Sequence, residues 1–206
     1  MENNSEKNHF FIGNIFNDIN QIKLLKNIQK KLKKKYALKN YHFNNRFYAN
    51  LIYIGYLDNV TAKLYMNNII NSLLLAISNN ISILECNYTG YKITFDKSYY
   101  KISLDFTDIN NKLQEVIIPY LFKYGIQPIF PNRKNTYSPL IDIIYYKNSS
   151  ILETKGNKIN MQIPADTFKI DHLSLIKGSG IRVRTGIPSL HDQMNLEEVV
   201  KFNLLN

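Results

Sequence analysis

The chain has 206 residues, 45% hydrophobic and 13% aromatic, with 26 lysines and arginines against 16 acids for a net charge of +10. That length buries a real core in one domain or two small lobes. A single cysteine, Cys86, excludes an internal disulfide and a cysteine-rich zinc centre, and its ordinary reading is a small apolar filler near a strand end.

Residues 1–9 are polar and mixed in charge, with no apolar signal core, and no run approaches the ~18 apolar residues of a membrane span. The expectation is a soluble, cytoplasmic protein in a reducing compartment. Fifteen tyrosines, no tryptophan and many Asn, Lys and Ile residues fit an AT-rich coding bias. The positive charge therefore argues as much for codon usage as for a polyanion partner.

Residues 9–16 form a short apolar strand, after which Asp18 caps a helix with Ile19, Ile22, Leu25, Ile28 and Leu32 at helical spacing. The lysines of 30–35 suit that helix's C-terminal carbonyls, and polyanion contact is the alternative. A polar connection, 36–46, leads to the apolar run 47–57, which reads as a buried strand closed by Gly55. Thr61 then caps a helix with Tyr65, Met66, Ile69, Ile70, Leu73, Leu74 and Ile77 on its inner side.

Strands are expected at 81–87, 91–95 and 99–106, and Asp108 opens a helix that Pro119 kinks or interrupts and Gly125 stops. A loop follows, then a second apolar strand over 137–146. Beyond it, 151–153, 159–163, 168–176 and 181–183 read as strands, with Gly156-Asn157 as a hairpin turn. Residues 196–205 close the chain as a short helix or strand at an edge. Nothing rich in Pro or Ser divides the chain, so residues 1–206 form one α+β domain.

Strands 47–57 and 137–146 each carry polar positions in an apolar setting, Asn50 and Asp142. Burying such a group unpaired costs about 1–3 kcal/mol, so each needs a partner or a cleft. Two similar strands far apart in the chain suggest two similar halves around one shared cleft.

In this layout the chain resembles the 2H phosphoesterase family, the bilobal enzymes that include RNA 2′,3′-cyclic phosphodiesterases. Phe10-Phe11-Ile12-Gly13 resembles the family's first strand, and Tyr48 to Gly55 its first motif strand. Tyr124-Gly125-Ile126 is similar to the turn before the second motif, and Ser138-Pro139-Leu140-Ile141-Asp142-Ile143 to that motif's strand. Residues 168–175 resemble a late family strand without catalytic duty. The resemblance implies two pseudo-symmetric halves of antiparallel sheet, helices outside and a central cleft.

It also implies two His-x-Thr/Ser motifs, in which facing histidines move protons and the hydroxyls hold phosphate. Here Tyr48 and Asn50 stand at the first motif, Leu140 and Asp142 at the second. Leucine transfers no proton, and a phenol with a pKa of about 10 is a poor base near neutrality. Each positioned acid or base is worth about 10²–10⁴ in rate, so the ordinary reaction is not expected. An ionised Asp142 would repel phosphate unless a cation neutralises it.

His172 and Ser174 spell a His-x-Ser on an apolar strand, but His42 lies in the polar connection and completes no pair. His9 and His191 sit in polar surroundings near the chain ends and carry no motif. Lys177-Gly178-Ser179-Gly180, followed by Arg182 and Arg184, reads as a hairpin turn whose amides and cations are able to cradle an anion.

Three readings stay open. The first is a catalytically degenerate 2H-like protein that binds a nucleotide, cyclic oligonucleotide or RNA end through Tyr48, Asn50, Asp142, Lys177, Arg182 and Arg184. The second is an active phosphodiesterase on 2′,3′-cyclic or 2′,5′-linked phosphates, using His172 and Ser174 with Tyr48. The third is a scaffold with a filled cleft. None calls for a cofactor, a metal or a membrane.

Overall fold

A computed structural model describes residues 7–80, 84–85, 90–96, 99–105, 109–129, 140–156, 158–162, 169–170, 172–179 and 195–204. Within them the chain is α+β, with two four-stranded antiparallel sheets and helices packed on one face of each.

The first sheet is built on strands β1 (Lys7–Ile15) and β3 (Tyr48–Asp58). β9 (His172–Ser179) and β10 (Asn195–Asn203) extend it, in the order β10-β9-β1-β3. The second sheet runs β2-β7-β6-β5, with β2 at His42–Phe43, β5 at Gly90–Asp96, β6 at Tyr99–Asp105 and β7 at Leu140–Tyr146. A small ladder joins β4 (Leu84–Glu85) to β8 (Lys169–Ile170).

The two sheets repeat one pattern. In the first, Gly13 lies opposite Asn50 and Ile12 opposite Ile52, leaving Leu51 as the extra residue of a bulge. In the second, Ser103 lies opposite Asp142 and Ile102 opposite Ile144, leaving Ile143 as the extra residue. β1 therefore corresponds to β6 and β3 to β7, and a third strand, β9 or β5, flanks each pair. The two similar halves suggested by the sequence are present, with Asn50 and Asp142 at corresponding seats. A bulge bends its strand and shifts the facing of the side chains beyond it.

Helix α1 (Ile19–Lys35) follows β1, and the Asp18 carboxylate accepts the Gln21 amide at its start, as expected. Leu25, Ile28 and Leu32 are buried against the sheets. Gln29, buried on the same helix, donates to the carbonyls of Asn44 (2.6 Å) and Ile143 (2.8 Å). It shares the Ile143 carbonyl at the second bulge with the Asn44 amide and ties α1 to β7. Replacing Gln29 with leucine is expected to cost about 1–3 kcal/mol, because the Asn44 carbonyl loses its buried donor while the Ile143 carbonyl keeps the Asn44 amide; chemical denaturation measures it.

Helix α2 (Asn59–Asn80) starts three residues earlier than a cap at Thr61 implies. Asp58, not Thr61, is the cap: its carboxylate accepts the Val60 and Thr61 amides and the Thr61 hydroxyl. The Thr61 amide and hydroxyl together hold this carboxyl below its usual range. Ile69, Leu73, Ala76 and Ile77 form the buried stripe, whereas Tyr65 and Leu74 lie a step around the helix and are exposed.

Helix α3 (Ile109–Lys123) runs through Pro119 without interruption. Pro119 and Glu115, whose carbonyl loses its donor, lie on the solvent side, where water replaces the missing bond. Gly125 at φ +76° closes α3, and the Ile126 amide returns to the Leu121 carbonyl.

The stretch 151–153 is not a strand. Ser149 accepts the Leu152 amide and donates to the Tyr36 carbonyl, starting a short helix, α4 (Ser150–Thr154). One apolar pair in that stretch was too little to reveal its period. Gly156, at φ +62°, leaves that helix rather than turning a hairpin, and 158–162 hold no regular structure. The polar connection contains β2, and 177–179 continue β9 rather than turning. The last stretch is an edge strand. Cys86, Asp108, Asn157, residues 130–137 of the loop expected over 128–137, residues 137–139 of the second apolar strand and the strand expected over 181–183 lie outside the described residues, as does His191.

Among the described residues, no helix is long and apolar enough to cross a membrane. No group of three or more His, Cys, Asp or Glu among them is placed to hold a metal ion.

Candidate functional site

One core packs the helices against one face of both sheets, using Phe10, Ile12, Ala49 and Ile52 from the first and Ile102, Ile141 and Ile144 from the second. Strand alternation sends His9, Phe11, Gly13 and Ile15 to the opposite, inner face. There Phe11, Ile15, Ile176 and Leu196 make a separate small cluster, with Tyr48 and Tyr53 against it. The sheets adjoin along β3 and β7, so the two polar seats belong to one region.

Asp142 is the most engaged group in that region. Its Oδ1 accepts the Ser103 hydroxyl at 2.6 Å. Its Oδ2 takes the Lys101 ammonium at 3.2 Å and the Tyr145 hydroxyl at 3.3 Å. Lys101 is the neutralising cation that a phosphate beside Asp142 requires. It was invisible in the sequence because β6 brings it from a distant segment.

Tyr145 is the second centre. Burial pushes its phenol well above the ordinary range, followed by the negative charge of Asp142 and the neighbouring Tyr48 and Tyr99 phenols. Its ring packs edge-on against Tyr99 at 5.5 Å. Tyr48, half-buried, reaches this group from the other sheet and leans on Phe11 at 5.5 Å. Tyr48 thus stands within electrostatic reach of Tyr145, which is bonded to Asp142. Asn50 and Leu140 lie in the same strands, opposite Gly13 and Asp105 respectively.

His172 and Ser174 lie on the inner face, since Ser174 is opposite Gly13 as Asn50 is. Both are buried. Ser174 donates to Glu198 Oε1 at 2.8 Å, and His172 Nε2 lies 3.4 Å from the same oxygen. Asn14 donates to the His172 carbonyl and rests against its ring. Lys177, opposite Phe10, faces the helix side and pairs with Glu197 at 4.0 Å, apart from Tyr48 and Asp142. Arg182 and Arg184 lie outside the described residues.

Two imidazoles that sequence reasoning set aside reach the inner faces. His9 Nδ1 is hydrogen-bonded to the Tyr53 hydroxyl at 2.7 Å. His42, on β2, is opposite Tyr145 and near its ring. Period-two placement opposite a tyrosine was the available signal for His42, hidden because β2 is two residues long. Neither occupies position 48 or 140. Burial lowers both below the ordinary 6.5, so both are neutral at pH 7. Each therefore contributes stability above pH 6.5 that is lost as pH falls through its lowered pKa. NMR titration of the imidazole protons is expected to give midpoints below the free value for both.

No protein-family model matches the chain, and no curated protein matches it in sequence. Solved structures do match in shape. LigT of E. coli in its apo form superposes with a TM-score of 0.53 at 12% identity, covering 98% of this chain and 100% of that one. LigT complexed with 3′-AMP gives 0.51 at 10% identity, and LigT complexed with NADP+ gives 0.52 at 11%, each covering 98% of this chain and 100% of that one. The chain has the fold of LigT, a 2H phosphoesterase.

Proposed function

We propose that this protein is a catalytically degenerate 2H phosphoesterase-like protein that binds a nucleotide or RNA end between its two sheets. The observation that carries the reading is the engagement of Asp142 by Lys101, Ser103 and Tyr145, with Tyr48 beside them. The group is tied down and nearly neutral, its Ser103 and Tyr145 hydroxyls, which donate to Asp142, keep lone pairs that accept, and it offers phenol rings. Such a surface stacks a base and hydrogen-bonds its edges. It holds no free base at either motif seat of the resemblance, since Tyr48 and Leu140 stand there. Support also comes from LigT, whose solved structures include complexes with 3′-AMP, ATP and NADP+.

In this reading Tyr48 stacks the base, Lys101 and Asn50 meet the sugar or phosphate, and His172 and Ser174 are structural, their polar atoms taken by Asn14 and Glu198. Calorimetry with AMP, ATP, 2′,3′-cyclic AMP and short RNAs at low salt tests it. Saturable binding is expected, weakened about tenfold or more in Tyr48→Ala, the loss of one stacked base at about 1–3 kcal/mol. Absence of binding to every ligand contradicts the reading. Turnover of a 2′,3′-cyclic substrate that vanishes in His172→Ala would favour the relocated active site instead.

A further inference from the structure

The lysine run at the end of α1 does not stand alone. Six exposed lysines, Lys30, Lys31, Lys33, Lys34, Lys35 and Lys39, come from this segment. Three more, Lys147, Lys155 and Lys158, flank or follow α4. The fold sets the two segments side by side. Lys39 bridges Asn148, and the Lys147 amide donates to the Lys39 carbonyl. The Ser149 hydroxyl donates to the Tyr36 carbonyl, and the Tyr36 hydroxyl accepts the Asn160 amide at 2.8 Å. The Lys35 ammonium reaches the Asn160 carbonyl.

In residues 30–41 and 147–160 there is one carboxylate, Glu153. Among the described residues, none of the nine ammonium groups meets a carboxylate at ion-pair distance. A helix C-terminus accounts for the first turn's worth of cations, but not for lysines delivered by a second segment. Clustered like charges repel, and a dense polyanion relieves that repulsion.

The patch leads to the inner face. Lys33 sits 4.4 Å over the Tyr41 ring, and Tyr41 packs on Phe43 on the outer side. The next residue, His42, faces Tyr145 on the inner side. Lys39 and His42 are three residues apart, so the chain between them spans at most about 11 Å. A path that turns around a sheet edge in that distance admits a flexible strand and not a duplex, whose persistence length is about 150 bp.

We infer that the joined ends of α1 and α4 form a binding surface for the sugar–phosphate backbone of a single-stranded nucleic acid, whose end enters between the sheets past His42. The inference rests on the proposed nucleotide site for its end point and on the lysine cluster for the rest, so the two are separable. The variant is Lys31→Gln/Lys34→Gln/Lys39→Gln/Lys147→Gln, four exposed positions outside the core, with thermal melting as the check on folding. Fluorescence anisotropy reads binding of a labelled single-stranded 12-mer RNA across a salt series, and calorimetry reads AMP.

For the quadruple variant the 12-mer is expected to weaken about tenfold or more, and the salt slope to fall by up to about 3, at about 0.7 per lost phosphate contact. AMP binding is expected to stay unchanged. Tyr48→Ala is expected to weaken AMP and leave the salt slope of the 12-mer intact. A 12-mer that binds both proteins alike, or binds neither, overturns the inference, as does duplex RNA bound more tightly than single strand. Binding to anionic lipid vesicles in place of RNA also overturns it. Loss of AMP binding in the wild-type protein with a lysine-dependent 12-mer intact would remove the nucleotide site and leave this surface standing.

Discussion

Gly13→Ala is expected to be the most damaging small substitution in the chain. A Cβ at Gly13 would lie 2.3 Å from the Ala49 carbonyl oxygen and 3.2 Å from the Phe11 ring. The first contact is backbone in the paired strand, so it is relieved only by parting β1 from β3 beside their bulge. The expected cost is about 3 kcal/mol or more, at the upper end for overpacking. For a chain of this length that is a fall in Tm of about 10 °C. The corresponding seat in the second half tells the two causes apart. Ser103 tolerates a Cβ, so Ser103→Ala loses only its hydrogen bond to Asp142 and is expected to cost about 1–2 kcal/mol. A Gly13→Ala protein as stable as wild type would mean that β1 and β3 do not approach as described.

Asp142→Ala is the second large effect. It strips the acceptor from the buried Ser103 hydroxyl and from Tyr145, and leaves the Lys101 ammonium without its partner. Side-chain exposures of 23% for Lys101 and 20% for Asp142 let water soften the loss. The expected cost is about 2–3 kcal/mol, below that of breaking a fully buried pair. Adding Lys101→Met is expected to recover part of it, and a double-mutant cycle measures the coupling. The carboxylate also helps hold the Tyr145 phenol up, after burial itself. A phenol whose folded pKa is raised adds stability below about pH 10 that is lost as pH climbs through the raised value. Burial raises Tyr146 and Tyr53 as well, so alkaline spectrophotometric titration is expected to show one late-titrating tyrosine fewer in Tyr145→Phe and one titrating earlier in Asp142→Asn.

Much of the frame was legible because long apolar periods are unambiguous. The strand expected over 47–57, the described part, 140–146, of the one expected over 137–146, the Asp18 cap and the Gly125 stop all follow from side-chain spacing and backbone freedom. What failed were short elements. Ile151-Leu152 carries no period, so only the Ser149 bonds make it helical. His42 and Phe43 are too few to read as β2, although their pairing with β7 delivers an imidazole to the site. The candidate site was half legible. Asn50 and Asp142 stood out as polar residues in apolar strands and Tyr48 through the family resemblance, whereas Lys101 and Tyr145 looked like ordinary members of their strands. Their role comes from the Ile143 bulge, which places Tyr145 on the same side as Asp142, and no local pattern announces a bulge.

The basic surface divides along the same line. The run at 30–35 was visible, with the helix C-terminus as its first explanation and polyanion contact as the alternative. Only the fold brings Lys147 and its neighbours to it, through contacts between segments far apart in the chain. A charge run reads as local, yet its meaning is set by what else arrives.

Phosphorus NMR of 2′,3′-cyclic AMP incubated with this protein tests the central reading most directly, because one spectrum reports binding and chemistry together. The account predicts that the cyclic phosphate resonance shifts or broadens on addition of protein, in a manner lost with Tyr48→Ala, and that no phosphomonoester resonance grows in. A phosphomonoester signal that accumulates with wild-type protein, or a cyclic resonance the protein leaves untouched, would contradict it.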